Sequence, residues 1–438
     1  MRKGTRTAVA GLCLALLIVA VSATAEDLVL ASPERMQDRI DALAMFGTNP
    51  QGGVSRVAFS DFDLEARDWL QAEMNRLGLE VRVDAAGNII GRRTGADDTL
   101  PPIVFGSHID SVPGGGNYDG QVGVVGALEV IDLLNANEIV TRHPLEVVSF
   151  TDEEGGLSGS RGMIGSLTPA ALDTVSHSGL TIREGIARVG GDPENLDDAA
   201  RKPGDIRAFL ELHIEQGAFL HEDKIDIGVV EGIVGIRWWD IVVAGTANHA
   251  GTTPMNKRQD AMVAAAKLTL AINSVATELE GRQVATVGRI EAFPGAPNVV
   301  PGEVRMSLEI RDLDADKMQK VFDMIDAEAA RIADETGATV SFEEIDAAAP
   351  PAPTDTRLRD VIAAAAEKLD LTQRRMPSGA GHDAQDMAKI APTGMIFVPS
   401  VGGISHSPNE FTSAQDMANG ASVLLHSILA VDALAMDQ

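Results

Sequence analysis

One cysteine, Cys13, stands in 438 residues, and 36 lysines and arginines face 64 aspartates and glutamates. Cys13 falls inside an apolar run from Ala8 to Val21, behind Arg2, Lys3 and Arg6 and ahead of Ala23-Thr-Ala25. A basic head, about 14 apolar residues and a small-x-small site read as a cleaved secretory signal covering residues 1–25. An uncleaved anchor is the alternative, but the run falls short of the ~20 residues a spanning helix needs. Leu12 precedes Cys13 where a lipoprotein site wants a small residue, so lipidation is not expected. After cleavage no thiol remains, which excludes disulfides and thiolate ligands. Any metal must then be held by imidazole and carboxylate. The expected location is periplasmic or secreted.

The shortage of positive charge excludes other classes. A net charge of −28, three units more negative without the signal, repels nucleic acid and anionic membrane surfaces. The expected partner is a small-molecule substrate, with no nucleic acid and no stable membrane association once the signal is gone. An anionic substrate would need local cations. Common nucleotide and serine-nucleophile signatures are also missing. No Walker lysine follows Gly114-Gly-Gly116. Gly379-Ala-Gly381-His-Asp-Ala384 fits a dinucleotide pattern, but Gln373-Arg-Arg-Met-Pro-Ser precedes it instead of a buried strand. Gly156-Leu-Ser158-Gly-Ser160 lacks the last glycine of a nucleophile elbow.

The periodicities that are present predict an α/β chain large enough for two domains. Helix is expected through Arg35 to Leu79, with a start at Ser60-Asp-Phe-Asp63, then a hairpin around Ala85-Ala-Gly87. Strand–helix alternation to residue 232 predicts a largely parallel sheet covered by helices. From 235 to 346 the rhythm becomes β-α-β-β-α-β, a ferredoxin-like unit. Ala347 to Pro353 reads as a linker, after which helix and strand resume. The expected architecture is a discontinuous, metallopeptidase-like catalytic domain, 26–234 and 347–438, with an inserted ferredoxin-like lid.

Five potential metal ligands are scattered through this pattern. His108 follows the apolar strand Pro102 to Phe105, and Glu154 closes Leu145 to Glu154. His213 ends Ile206 to His213, and His406 lies just beyond Thr393 to Ser400. Asp119 sits in Asn117-Tyr-Asp-Gly120, ahead of a helix expected from Val122 to Asn135. In open α/β sheets ligands bind beyond the carboxyl ends of strands, so these residues are expected at one edge. Each has a plainer reading: Asp119 as a helix cap, Thr151-Asp-Glu153-Glu154 as a solvated acidic loop, each histidine as structural. Together they suit two divalent ions with a neighbouring carboxylate as general base, and Asp110 suits the task of orienting His108. Imidazole–carboxylate sets of this kind take zinc foremost, with manganese, cobalt or nickel as alternatives.

These segments together resemble the metal-dependent amidohydrolase branch of the aminoacylase and carboxypeptidase superfamily, nearest to N-carbamoyl-L-amino acid hydrolases and allantoate amidohydrolases. The matching motifs are Gly-Ser-His108-Ile-Asp, Tyr-Asp119-Gly, Phe-Thr-Asp-Glu153-Glu154-Gly and Leu-His213-Ile-Glu-Gln216-Gly. Asn248-His249-Ala-Gly-Thr-Thr-Pro254, Pro297-Asn298-Val-Val-Pro301, Gly-Ala-Gly-His382-Asp and His406-Ser-Pro continue them in order. The resemblance implies one metal on His108, Asp119 and His213, another on Asp119, Glu154 and His406, and Glu153 as the base. It further implies that His249 polarises the scissile carbonyl, that Asn298 and Arg311 hold a substrate carboxylate, and that Gln216 and His382 line the pocket. A homodimer through the lid is implied, with His249 serving its own or the partner's site. Arg311 could instead pair with Asp312 or Asp314.

The expected function is hydrolysis of a linear ureido or amide C–N bond in a small carboxylate-bearing substrate. An N-acyl amino acid deacylase or metallo-aminopeptidase on the same scaffold is the enzymatic alternative. A non-catalytic periplasmic binding protein is the alternative of another class.

Overall fold

The computed structural model describes residues 28–434, together with Met1 and Gly4. The expected signal, Cys13 included, lies outside the described residues.

A nine-stranded sheet forms the larger body. At its centre Leu145–Phe150, Ile103–His108, Ala208–Ile214 and Thr393–Val398 run parallel as neighbours in that order. All four strands are buried along their whole length. This burial explains why they are mostly apolar, because helices cover both faces. Gln121–Ala136, Ala414–Ala433 and Pro33–Ala44 lie on one face, around Phe105, Leu128, Leu212 and Leu424. A second cluster built on Phe150, Phe209, Met395 and Phe397 fills the other. The edges depart from parallel pairing: the hairpin Glu80–Val83 and Ile89–Arg93 joins Leu145–Phe150 antiparallel, and Ile227–Ile233 meets Thr393–Val398 antiparallel.

One close approach sets the depth of the central helix. A Cβ on Gly123 would stand 2.3 Å from the carbonyl oxygen of Leu212, so only glycine lets Gln121–Ala136 sit directly on the strand that carries His213.

At Gly235 the chain leaves this body and builds a separate five-stranded sheet. Ile290–Phe293, Glu303–Asp312, Gly235–Ala244 and Thr339–Ala349 are antiparallel neighbours, with Val284–Thr286 also on Glu303–Asp312. Burial alternates along Glu303–Asp312, as period two requires when one face is covered. Val304, Met306, Leu308 and Ile310 pack under the helices Ala261–Glu278 and Ala315–Thr336. Glu309 and Arg311 therefore stand on the opposite, uncovered face.

One expectation changes. Residues 347–353 are not a free linker: Thr339–Ala349 stays in the smaller sheet, and Ala352–Pro353 pairs with Ile233 and Gly232. The two crossings between the bodies thus lie side by side. The helix start expected at Ser60 is found: Asp61–Arg76 follows it as Pro33–Ala44 follows Ser32, each serine side chain accepting a backbone N–H.

Leu212 is wholly buried and touches the Cβ positions of Gly126 and Gly420. Leu212→Ala is expected to lower the unfolding free energy by about 2–5 kcal/mol in urea titration, beyond the lost transfer term alone, because two glycine-backed helices cannot collapse into the space.

Candidate functional site

The parallel strands end at one edge, and the site is assembled there. His108 and His213 are the last and next-to-last residues of their strands, each about 1% exposed or less. Each ring points its Nδ1 at a backbone carbonyl, of Asp110 at 3.1 Å and of Ile214 at 2.9 Å. A carbonyl only accepts, so Nδ1 carries a proton and Nε2 is the atom each ring turns inward. Both Nε2 atoms are buried without a hydrogen-bond partner. His213 Nε2 is 3.1 Å from Asp119 Oδ1 but off hydrogen-bond geometry.

Asp119 is not a helix cap: Gly120 occupies that position and no side chain caps the helix. The Asp119 carboxylate faces the cluster. Its Oδ2 takes hydrogen bonds from Gln216 Nε2 at 2.6 Å and Ser405 Oγ at 2.8 Å, with His406 Nε2 at 3.2 Å. Against the upward push of burial, His213 and His406 hold Asp119 well below the usual carboxylate range. Gly120, at φ 76°, has to lack a side chain, since a Cβ there would stand 2.3 Å from His108 Nε2.

The acidic turn after Leu145–Phe150 is not solvated. Asp152, at φ 56°, folds it back, and the Asp110 carboxylate accepts the backbone N–H groups of Glu153 at 3.4 Å and Glu154 at 3.2 Å. Asp110 thus orients His108 through its carbonyl and holds the glutamates with its carboxylate. Glu153 Oε2 lies 3.6 Å from His108 Nε2. Burial pushes Glu153 well above the ordinary carboxylate range, opposed by His108. Glu154 is raised to about 7 by burial and by Asp119. His406, half exposed, is raised to about 9 by its contact with Asp119 and then by Glu154 at 3.3 Å.

The ligand atoms of His108, Asp119 and His213 lie within 4.8 Å of one another, and so do those of Asp119, Glu154 and His406. Asp119 is common to both groups. Nitrogen and oxygen ligand atoms, two of them buried imidazole nitrogens without a hydrogen-bond partner, fit a pair of divalent cations. A third group of Glu211, His213 and His382 does not compete. Glu211 is engaged by Ser107 Oγ and the N–H of Ala384, and His382 Nε2 by Ser378 Oγ.

The remaining expected residues scatter. His382 is buried beside His213, with ring centroids 4.4 Å apart. His249 and Asn298 are exposed on the inserted unit, where the short strands Asn248–His249 and Val299–Val300 pair. His249 Nδ1 accepts the N–H groups of Gly251 and Thr252, a bond set local to its turn. Arg311 grips Glu309 through Nε at 2.9 Å and Nη2 at 3.1 Å, not Asp312 or Asp314, and reaches the Gly379 carbonyl of the larger body at 2.7 Å.

Sequence reasoning missed Glu410. Its Oε1 accepts the N–H groups of Tyr118 and Asp119 at 2.9 and 3.0 Å. Its Oε2 accepts the N–H of His406 at 3.2 Å and lies 3.0 Å from Ser405 Oγ. One carboxylate thus sets the positions of two cluster residues. The only signal was a glutamate four residues after His406. Asp383, fully buried beside Glu211, was also passed over.

A carboxylate shared by two groups of imidazoles and acids, at the carboxyl edge of an α/β sheet, defines a hydrolase able to hold metal. The family model for Peptidase family M20/M25/M40 matches residues 104–430, and the chain belongs to that family, in its amidohydrolase branch. An N-carbamoyl-L-amino acid amidohydrolase from Geobacillus stearothermophilus is 41% identical over 400 residues, 90% of this chain and 97% of that protein. Ureidoglycolate hydrolase from Arabidopsis thaliana is 40% identical over 401 residues, 89% of this chain and 84% of that one. A crystal structure of an amidase of the hydantoinase/carbamoylase family from Burkholderia multivorans superposes with a TM-score of 0.86 at 34% identity. It covers 93% of this chain and all of that one.

Glu410→Gln leaves one acceptor oxygen where two are used and sets an amide N–H₂ against other donors. Affinity for zinc, measured by chelator competition, is expected to fall about 10–100-fold while the melting temperature changes little. Unchanged affinity would remove the positioning role.

Proposed function

We propose that this amidohydrolase cleaves the C–N bond of a linear ureido or amide substrate bearing a carboxylate, of the N-carbamoyl-L-amino acid or allantoate type. The observation that carries this is the Asp119-centred cluster with Glu153 beside it, its carboxyl pushed above the ordinary range by burial. The similarity to amidohydrolases acting on such compounds supports it.

His108, Asp119 and His213 would hold one divalent ion and Asp119, Glu154 and His406 the other; when bound, these supply Lewis acidity and make water more acidic. Glu153 then takes a proton from the attacking water, whose oxygen adds to the substrate carbonyl carbon. The same proton goes to the leaving nitrogen as the C–N bond breaks. A carboxyl whose proton affinity is raised by burial suits both transfers, because it can take a proton from water and pass it on to the leaving nitrogen.

The inserted unit acts in this reading as a ferredoxin-like lid and as the homodimer contact. Its adjacent crossings at Gly235 and Ala352 supply a two-strand hinge. Arg311 keeps two further N–H groups after its bonds to Glu309 and Gly379, enough to grip a substrate carboxylate. His249 and Asn298, exposed on the lid, would meet the substrate on closure, with His249 polarising the carbonyl in its own or the partner's site. Export to the periplasm or medium follows from the leader pattern in residues 1–25.

Glu153→Gln is expected to retain metal and to lose about 10²–10⁴-fold in turnover of N-carbamoyl-L-amino acids. Near-normal turnover would remove Glu153 as the acid–base group. Metal uptake is also expected to be proton-linked. Free His406 titrates at about 9 and Glu154 at about 7, and both must lose their protons to become ligands. Affinity should climb as pH rises from about 7 to about 9. Calorimetric titration in buffers of different ionisation enthalpy would show the released protons, and pH-independent affinity would count against these two as ligands.

A further inference from the structure

A cavity of about 610 Å³ opens between the larger body and the inserted sheet, next to the Asp119 cluster. Gln216 lines it while its Nε2 holds Asp119, and Arg311 lines it from the lid side. Its remaining surface is largely apolar. Val234 and Met376 form a buried floor, 8% and 6% exposed, with Pro377 beside them. Phe219 from the larger body and Val284 from the lid sheet are 62% and 48% exposed, and both line this same space. Large apolar side chains contributed by both bodies to one cavity leave surface that an apolar ligand group would cover.

The polar groups on the rim are already engaged. Glu215 accepts the N–H groups of Phe219 and Leu220 at 2.9 and 2.8 Å. Arg282 pairs with Glu231 at 3.3 Å and Arg374 with Asp223. A second ureido group placed here would exchange water for Met376, Val234 and Phe219, leaving donors unmatched. A phenyl or long aliphatic group would instead lose only apolar hydration.

We propose that this cavity receives the substituent on the substrate's α-carbon, and that the preferred substrates are N-carbamoyl-L-amino acids with aromatic or long aliphatic side chains. The inference rests on the ureido-hydrolase reading above: a substrate with its carboxylate on Arg311 and its ureido carbon at the Asp119 cluster turns its α-substituent toward these walls. Phe219 and Val284 then determine specificity.

The test uses the full, metal-loaded protein with N-carbamoyl-L-phenylalanine, N-carbamoylglycine and allantoate. The expected kcat/KM for the phenylalanine compound exceeds both others by about 10–200-fold. Phe219→Ser, at an exposed position, and the near-isosteric Val284→Thr should each cut the phenylalanine-to-glycine ratio at least threefold. Folding of each variant is checked by its melting temperature. Allantoate turned over fastest, or glycine equal to phenylalanine, would overturn the preference while leaving ureido hydrolysis standing. A wild-type preference that neither variant moves would overturn the assignment to this cavity. Turnover of none of the three would sink the ureido reading and this inference together.

Discussion

Asp119 carries its charge in a place that is 5% exposed, and burial alone would drive it toward the neutral acid. It stays ionised because His213, His406, Gln216 and Ser405 converge on two oxygen atoms. Such a set is stable only if every member is held against its neighbours' repulsion and desolvation. Much of the surrounding architecture serves that requirement. Gly120 clears space for the His108 ring, Glu410 fixes the backbones of Asp119 and His406, and Asp110 fixes those of Glu153 and Glu154.

The arrangement is poor as a device for stability. Asp110, Glu153, Glu154, Asp152, Glu211 and Asp383 are acids crowded into one region, most of them buried. Asp152, Gln216 and His406 adopt left-handed backbone angles that non-glycine residues take at a cost of about 1–3 kcal/mol each. A rigid parallel sheet with helices on both faces bears this cost. Local rules broken together at one sheet edge mark a site built for chemistry.

The smaller body has a different task. Its own core is complete, so its uncovered face is free to carry Arg311, Glu309 and Trp238 toward the larger body. Contact at Gly379, the Arg282–Glu231 pair and the paired crossings tie it to the larger body. A chain with such an excess of acid keeps its guanidinium fork here, where an anionic group would otherwise be repelled.

The strand-end histidines and the shape of the sheet were legible in the sequence. Mostly apolar strands of six or seven residues, such as Ile103–His108 and Ala208–Ile214, have one economical outcome, burial on both faces at the centre of a sheet, and His108 and His213 stand at their ends. The change of rhythm near residue 235 was legible for the same reason, because half-buried strands alternate. Glu410 was not legible, since the backbone it holds at Asp119 lies 291 residues away. The pairing of residues 352–353 escaped because alanine and proline carry no strand signal. Arg311 was readable as a cation, but its bond to Gly379 was not. Sequence alone determined which residues lie at strand ends, because periodicity is a local property set by burial. Only the tertiary structure decided which lone pairs face one another, because that depends on how helices seat on the sheet, down to a single missing Cβ at Gly120.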